Sequence, residues 1–191
     1  MKIMIKVGIT GSLASGKTTA SKILSTGRGP LFSADAVVKK LYTKNSIKKN
    51  IIKKLDLKKS LNIKKLLREK IKEDKSNIQK LEKIIHPLVR KEMLKFIRKN
   101  IKKKFVFLEI PLLIESNLIN VFDVIFYIKA KKSIRLNRFK LKGGNKSTFN
   151  ILNSKQLSDV KKRKYCDHII VNEKNIKILK KNLLFIFKKY E

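Results

Sequence analysis

The sequence predicts an α/β fold in which a five-stranded parallel sheet is flanked by helices, and three observations support it. Short β-branched and aromatic runs alternate with segments of helical periodicity, the pattern of a parallel sheet covered on both faces. The first of these runs leads directly into a glycine-rich stretch, Gly11 to Thr18, which opens onto a helix. A Lys-rich block covering roughly 36–102 has apolar residues three and four apart and no strand-like alternation. That spacing marks a helical insert between the second and third strands. The core is thus expected over 1–35 and 103–191, with the insert between them.

Each element follows from local signals. Ile3 to Ile9 is β-branched and reads as a buried strand, and Lys17 to Ser25 reads as a helix stopped by Gly27-Arg28-Gly29-Pro30. Leu31-Phe32 is a brief second strand ending near Ser33-Ala34-Asp35. In the insert, Leu66, Ile71, Ile78, Leu81, Ile84 and Ile85 mark helical faces, and Pro87 is expected to begin or kink a helix. Phe105 to Ile110 and Val124 to Ile128 are the next strands, followed by a helix from Lys131 to Leu141. Lys142 to Thr148, with Gly143-Gly144, reads as a mobile loop. Asp167 to Val171 is the last strand and Asn175 to Tyr190 the closing helix.

Composition narrows the function classes. The net charge is +35, yet only seven of the 49 basic residues are Arg, and the 42 Lys are spread from Lys2 to Lys189. A nucleic-acid reader concentrates charge on one face, with Arg for base edges and aromatics for stacking. Here Phe lies in apolar runs, Trp is absent, and Lys, Ile and Asn are abundant together. The charge is read as compositional drift filling solvated positions, so no specific nucleic-acid partner is expected. Such a field still attracts small polyanions such as nucleotides. One cysteine, Cys166, leaves no intramolecular disulfide or multi-Cys metal site and suits a reducing compartment. The N-terminal run is broken by Lys2 and Lys6, and no stretch is apolar enough to span a membrane. A cytoplasmic protein without a membrane partner is expected.

Gly11-Ser12-Leu13-Ala14-Ser15-Gly16-Lys17-Thr18 matches the phosphate-binding pattern G-x-x-x-x-G-K-[ST] without deviation. Glycines let the backbone curl so that successive N–H groups face phosphate oxygens, and the following helix adds its positive end. Lys17 is expected to reach the β- and γ-phosphates of ATP, and the Thr18 hydroxyl to ligate Mg²⁺. Asp35 lies just past the second strand, where a carboxylate accepts a hydroxyl proton or helps hold Mg²⁺; equally, it suits the first turn of the next helix. Glu109 ends the third strand in the manner of a Walker B carboxylate. Arg135, Arg138 and Lys142 flank the glycine pair and are candidates to close over phosphate, while His86 and His168 read as structural.

With these residues laid out, the chain resembles the dephospho-coenzyme A kinase family along nearly its whole length. Gly11 to Thr19 is similar to the family's phosphate loop, Ser33-Ala34-Asp35 to its Asp-Ala-Asp, and Leu81-Glu82-Lys83-Ile84-Ile85-His86-Pro87 to its Leu-Glu-x-Ile-x-His-Pro. Pro111-Leu112-Leu113-Ile114-Glu115 resembles Pro-Leu-Leu-x-Glu, and Gln156, Lys162-Arg163 and Cys166 to Asn172 resemble the late segment. The resemblance implies a P-loop kinase core, a helical insert that grips the acceptor, and a short lid over ATP at about 138–155. It implies phosphorylation of the ribose 3′-hydroxyl of dephospho-coenzyme A by ATP, with Mg²⁺, in a monomer or small homo-oligomer. Asp35 would be the general base, Lys17 and Thr18 would hold phosphate and metal, and the lid would supply Arg138. Gly11 to Thr19 and Asn172 would form the nucleotide site; Asp35, Arg68, His86 and Leu112 would contact the acceptor.

Five positions depart from that pattern. Ser33 replaces an Asp, Glu109 stands where Asp is usual, and Lys142-Gly143 replaces an Arg-Asp. Ala14 replaces a Gly, which requires a negative φ at that residue. Nucleoside monophosphate and shikimate-type kinases share the loop but have a Gly-Phe-Pro-Arg or Gly-Gly-Gly segment that this sequence lacks. A basic nucleic-acid-binding protein with a vestigial loop is the reading from a different class, and it predicts steeply salt-dependent polynucleotide binding.

Overall fold

The computed structural model describes residues 4–57, 66–67, 69–71, 74 and 76–191. The chain divides into two compact units, one formed by Met1–Ser33 with Lys99–Glu191 and the other by Ala34–Arg98.

The first unit holds five parallel strands: β1 (Ile5–Gly11), β2 (Leu31–Ser33), β3 (Phe105–Glu109), β4 (Val124–Lys129) and β5 (His168–Val171). Their spatial order is β2-β3-β1-β4-β5. The central strands are apolar on both faces because helices cover both sides of a parallel sheet. All five residues of β3 are buried, as are Val124 to Ile128 of β4. Beneath one face, Phe105, Phe107 and Phe126 cluster on Phe187 of the C-terminal helix, with ring centroids 5.1 to 6.2 Å apart. Register brings Ile9 opposite Glu109, and Ser33 opposite Glu109 on the other side. The chain leaves β1 toward the β2 side of the sheet and later crosses to the β4 side. The carboxyl end of β1 is therefore the crevice where ligands bind in such folds.

Helices α1 (Lys17–Ser25), α5 (Lys132–Leu141), α6 (Lys146–Ser154), α7 (Asp159–Arg163) and α8 (Ile176–Phe187) complete this unit. In the second unit, α2 (Ala34–Leu41), α3 (Asn45–Leu55) and α4 (Ser76–Lys99) surround buried Ile51, Leu55, Leu67 and Ile85. Among the described residues, no helix is long and apolar enough to cross a membrane.

Two local expectations change. The segment read as a mobile loop, Lys142 to Thr148, is instead a tight helix-to-helix connection. Gly143 N donates to Lys140 O at 2.9 Å and Gly144 N to Phe139 O at 3.0 Å, which is a Schellman closure of α5. Asn145 Oδ1 then accepts from Thr148 N at 2.8 Å and starts α6. The glycines are helix punctuation, with Gly143 at φ +82°. Second, of the two placements expected for Pro87, beginning or kinking a helix, the first does not hold. It lies inside the 24-residue α4. Leu81, Ile84, Ile85 and Val89 pack into the core of the helical unit on either side of it, and this burial outweighs one missing N–H.

Replacing Pro87 by Ala restores a donor for the Lys83 carbonyl and is expected to stabilise the protein by about 1–3 kcal/mol. The measurement is the urea midpoint at unchanged m-value. A lower midpoint would mean that α4 packs in a geometry which needs the proline.

Candidate functional site

A loop that offers its N–H groups to an anion must turn its carbonyls elsewhere, and each buried carbonyl needs a donor. The Gly11–Thr18 loop meets this requirement. Lys17, 8% exposed, donates Nζ to Gly11 O and Ser12 O, both at 3.0 Å. Ser12 O also accepts from Ser15 N at 3.1 Å. Arg135, 4% exposed, donates Nη1 to Leu13 O at 3.3 Å and to Asn153 Oδ1 at 2.7 Å. Ser15 O accepts from Asn172 Nδ2 at 2.8 Å and from Arg138 Nη1 at 3.4 Å.

The two loop glycines are required by close approach. A Cβ on Gly11 would sit 2.4 Å from Ile128 O, and one on Gly16 would sit 2.2 Å from Asn172 Nδ2. Gly16 also has φ +98°. The expectation of a negative φ at Ala14 is overturned, since the residue adopts φ +58°. The carbonyl partners on either side of it dictate the curl, and the methyl group is accommodated at a cost in strain.

Thr18 and Thr19 are exposed at the start of α1. Thr18 Oγ1 donates to Glu109 Oε1 at 2.5 Å. Glu109 is 2% exposed and its second oxygen, Oε2, is buried without a hydrogen-bond partner. A buried carboxylate oxygen in that state calls for a cation or donor. The Thr18–Glu109 pair therefore fits a hard divalent cation, which would take its remaining ligands from water and phosphate. Among the described residues no cluster of three His, Cys, Asp or Glu exists, so an all-protein metal cage is not found there.

Two contributors, Tyr127 and Asp159, are not singled out by sequence reasoning. Ser12 Oγ donates to Asp159 Oδ1 at 2.5 Å, and the Tyr127 hydroxyl donates to the same oxygen at 2.8 Å. Burial, reinforced by the Asp159 carboxylate, pushes the Tyr127 phenol upward, so it stays a donor. Burial raises the Asp159 carboxyl too, but the bonds from Ser12 and Tyr127 and the charges of Arg135 and Lys162 outweigh it and hold it below the usual value. Gln156 Oε1 accepts from Leu13 N at 2.9 Å, so that loop N–H faces the protein. Glu115 accepts from Leu157 N at 3.0 Å and pairs at 2.7 Å with Lys162, which is fully buried. Tyr127 sits in an apolar strand run, where the pattern reads only as core. Asp159 is the first residue of α7, a five-residue helix capped by Ser158 that is too short for periodicity to reveal.

The remaining candidates within the described residues lie on different elements. Leu112 is half-buried in the turn after β3, where its carbonyl accepts from Ser116 N at 2.9 Å. Asp35 is exposed in the first turn of α2, and His86 is exposed on α4. Arg68 lies outside the described residues. His168 donates or accepts at the Tyr190 hydroxyl at 2.5 Å, a structural contact.

The family model for dephospho-CoA kinase matches residues 5–177. The chain is 34% identical over 189 residues to the dephospho-CoA kinase of Bartonella henselae, covering 95% of this chain and 96% of the relative. It is similar to the solved dephospho-CoA kinase of Campylobacter jejuni, with a TM-score of 0.68 and 25% identity over 96% of each chain. A shikimate kinase from Acinetobacter baumannii shares the fold, with a TM-score of 0.60 at 14% identity over 98% of this chain and 93% of that one.

Glycine at position 14 would relieve the left-handed strain. Ala14→Gly is expected to stabilise the protein by roughly 1 kcal/mol, read from the chemical denaturation midpoint. An unchanged or lower midpoint would show that the loop holds Ala14 without strain.

Proposed function

The chain belongs to the dephospho-CoA kinase family, and from that membership we propose how its residues divide the work of phosphoryl transfer. Its reaction is the ATP-dependent phosphorylation of dephospho-coenzyme A at the ribose 3′-hydroxyl, giving coenzyme A and ADP. One observation carries the donor half. Four loop carbonyls are already bound from behind by Lys17, Arg135, Arg138 and Asn172.

In this reading the loop from Gly11 to Thr19 cradles the triphosphate. Ser15 Oγ, buried without a partner, is a ready donor to it. Lys17 supplies positive charge from a site where it is already held by the loop. Arg138 lies against Ser15 O and adds a second cation as charge shifts toward the leaving ADP oxygen. Thr18 and Glu109 would hold Mg²⁺, which neutralises phosphate charge when bound. Asn172 shapes the loop by its bond to Ser15 O, which supports a place for it at the nucleotide site.

The acceptor half assigns Asp35 as general base. It would accept the 3′-hydroxyl proton while that oxygen attacks the γ-phosphorus in line and ADP leaves. Its place two residues beyond the end of β2, exposed in the first turn of α2, supports this role. The Ala34–Arg98 unit is the acceptor-binding insert, with His86 and Arg68 among its contacts and Leu112 added from the core. The segment at about 138–155 is the lid. We place the enzyme in the cytoplasm, as a monomer or small homo-oligomer; its single cysteine suits a reducing compartment. Nucleoside monophosphate, shikimate and polynucleotide readings are not favoured by the relatives.

Purified protein with ATP and Mg²⁺ is expected to convert dephospho-coenzyme A and to leave AMP and shikimate unchanged in a coupled ADP assay. No turnover of dephospho-coenzyme A would sink the reading. Asp35→Asn should lower kcat by about 10²–10⁴-fold with ATP affinity nearly intact. Wild-type kcat in that variant would remove Asp35 from the base role.

A further inference from the structure

The phosphate loop is gripped on its outer side by a segment to which the transfer chemistry assigns no task, Gln156 to Lys162. We propose that Asp159 is a positioning residue that sets the loop in its nucleotide-ready shape before ATP arrives, by gathering the Ser12 and Tyr127 hydroxyls onto one carboxylate oxygen. The inference rests on the loop being the ATP site and adds to it a residue that touches neither substrate.

Three observations carry it. Ser12 is 3% exposed, so its side chain is a fixed internal anchor of the loop and not a solvent group. Its Oγ bonds Asp159 Oδ1 at 2.5 Å and lies 3.1 Å from the Tyr127 hydroxyl, which itself donates to Asp159 at 2.8 Å. Tyr127 pairs with Thr10 across β1 and β4, so the triangle ties the loop's second residue to the rigid sheet. Next, the same segment takes Leu13 N–H through Gln156 at 2.9 Å, fixing the adjacent peptide as well. Finally, the segment is itself braced, because Glu115 holds both Leu157 N and buried Lys162.

The charge makes the arrangement pointed. A carboxylate bonded to a phosphate loop repels the ligand that the loop must bind, at short range and partly out of water. Arg135 and Lys162 offset that repulsion. What the carboxylate contributes is acceptor geometry, two buried hydroxyls satisfied at one point. Loss of that acceptor leaves the two hydroxyls only each other, at 3.1 Å, with one O–H left without an acceptor, and frees the loop's first turn.

The test is MgATP affinity by calorimetry, beside KM for each substrate and thermal midpoint, in the full-length enzyme. Asp159→Ala is expected to weaken ATP binding about tenfold or more while KM for dephospho-coenzyme A changes less than about twofold. Asp159→Asn should recover most of the loss, since its amide oxygen accepts from the same two hydroxyls. Tyr127→Phe, which deletes one hydroxyl, should weaken ATP binding about three- to fivefold and serves if Asp159→Ala does not fold. Wild-type ATP affinity in folded Asp159→Ala or in Tyr127→Phe overturns the proposal. So does an Asn variant as impaired as the Ala one, or a loss shared equally by both substrates in step with the thermal midpoint. Wild-type protein that binds ATP but does not phosphorylate dephospho-coenzyme A would count against the acceptor reading alone.

Discussion

Peptide groups are bipolar, so a loop cannot present N–H donors to a phosphate without sending carbonyls into the protein behind it. In this chain the side-chain donors to those carbonyls are four, from three places: Lys17 of α1, Arg135 and Arg138 of α5, and Asn172 just after β5. The elements around the loop are arranged to deliver them. β4 and β5 pair in register so that Asn172 arrives beside Gly16, and α5 begins just past β4 with its guanidinium groups reaching Leu13 and Ser15. Gly16 is obligatory partly because Asn172 occupies the space that a side chain would take. Ala14 takes the left-handed backbone that the two adjoining peptides impose.

The same constraint sorts the charge. Forty-nine basic residues against 14 acidic ones make the net charge of +35, but among the described residues only a few cations are withdrawn from solvent. Lys17 and Arg135 are withdrawn onto loop carbonyls, and Lys162 onto Glu115. Burying a cation is costly unless its partners are geometrically fixed, and removing one partner leaves the other uncompensated. Each of these three sits in the shell that shapes the nucleotide site. The many other lysines at exposed positions contribute a diffuse field and little local structure.

Legibility followed the length scale of the signal. The three central strands were readable because burial on both faces makes them continuous apolar runs, the short edge strands β2 and β5 from brief apolar runs of their own, and α1 from the loop that opens it. One misreading, and one expectation that held only in its alternative form, had local causes. Gly143-Gly144 carried the loop signal, yet the pair closes α5 and Asn145 at once caps α6, an Asn-x-x-Thr start present in the sequence. Pro87 carried the breaker signal, but the cost of one lost hydrogen bond is smaller than the burial of the apolar residues on both sides. At the site, the donor loop and Glu109 were legible, since a motif and a strand end are contiguous. Tyr127 and Asp159 were not, because their meaning lies in one shared oxygen contact between residues 32 apart.

The sequence alone determined the parallel α/β core, the phosphate loop at its first strand and the helical insert, since each depends on periodicity or on a run of adjacent residues. Its family resemblance named the acceptor from segments such as His86-Pro87 and Pro111 to Glu115. Only the tertiary structure decided how the loop is held: which carbonyl meets Arg135 or Asn172, that Ala14 lies at positive φ, and that Ser12, Tyr127 and Asp159 meet at one point. Those outcomes rest on hydrogen bonds between residues up to 157 positions apart. Their partners are selected by strand order and register, which no local pattern encodes.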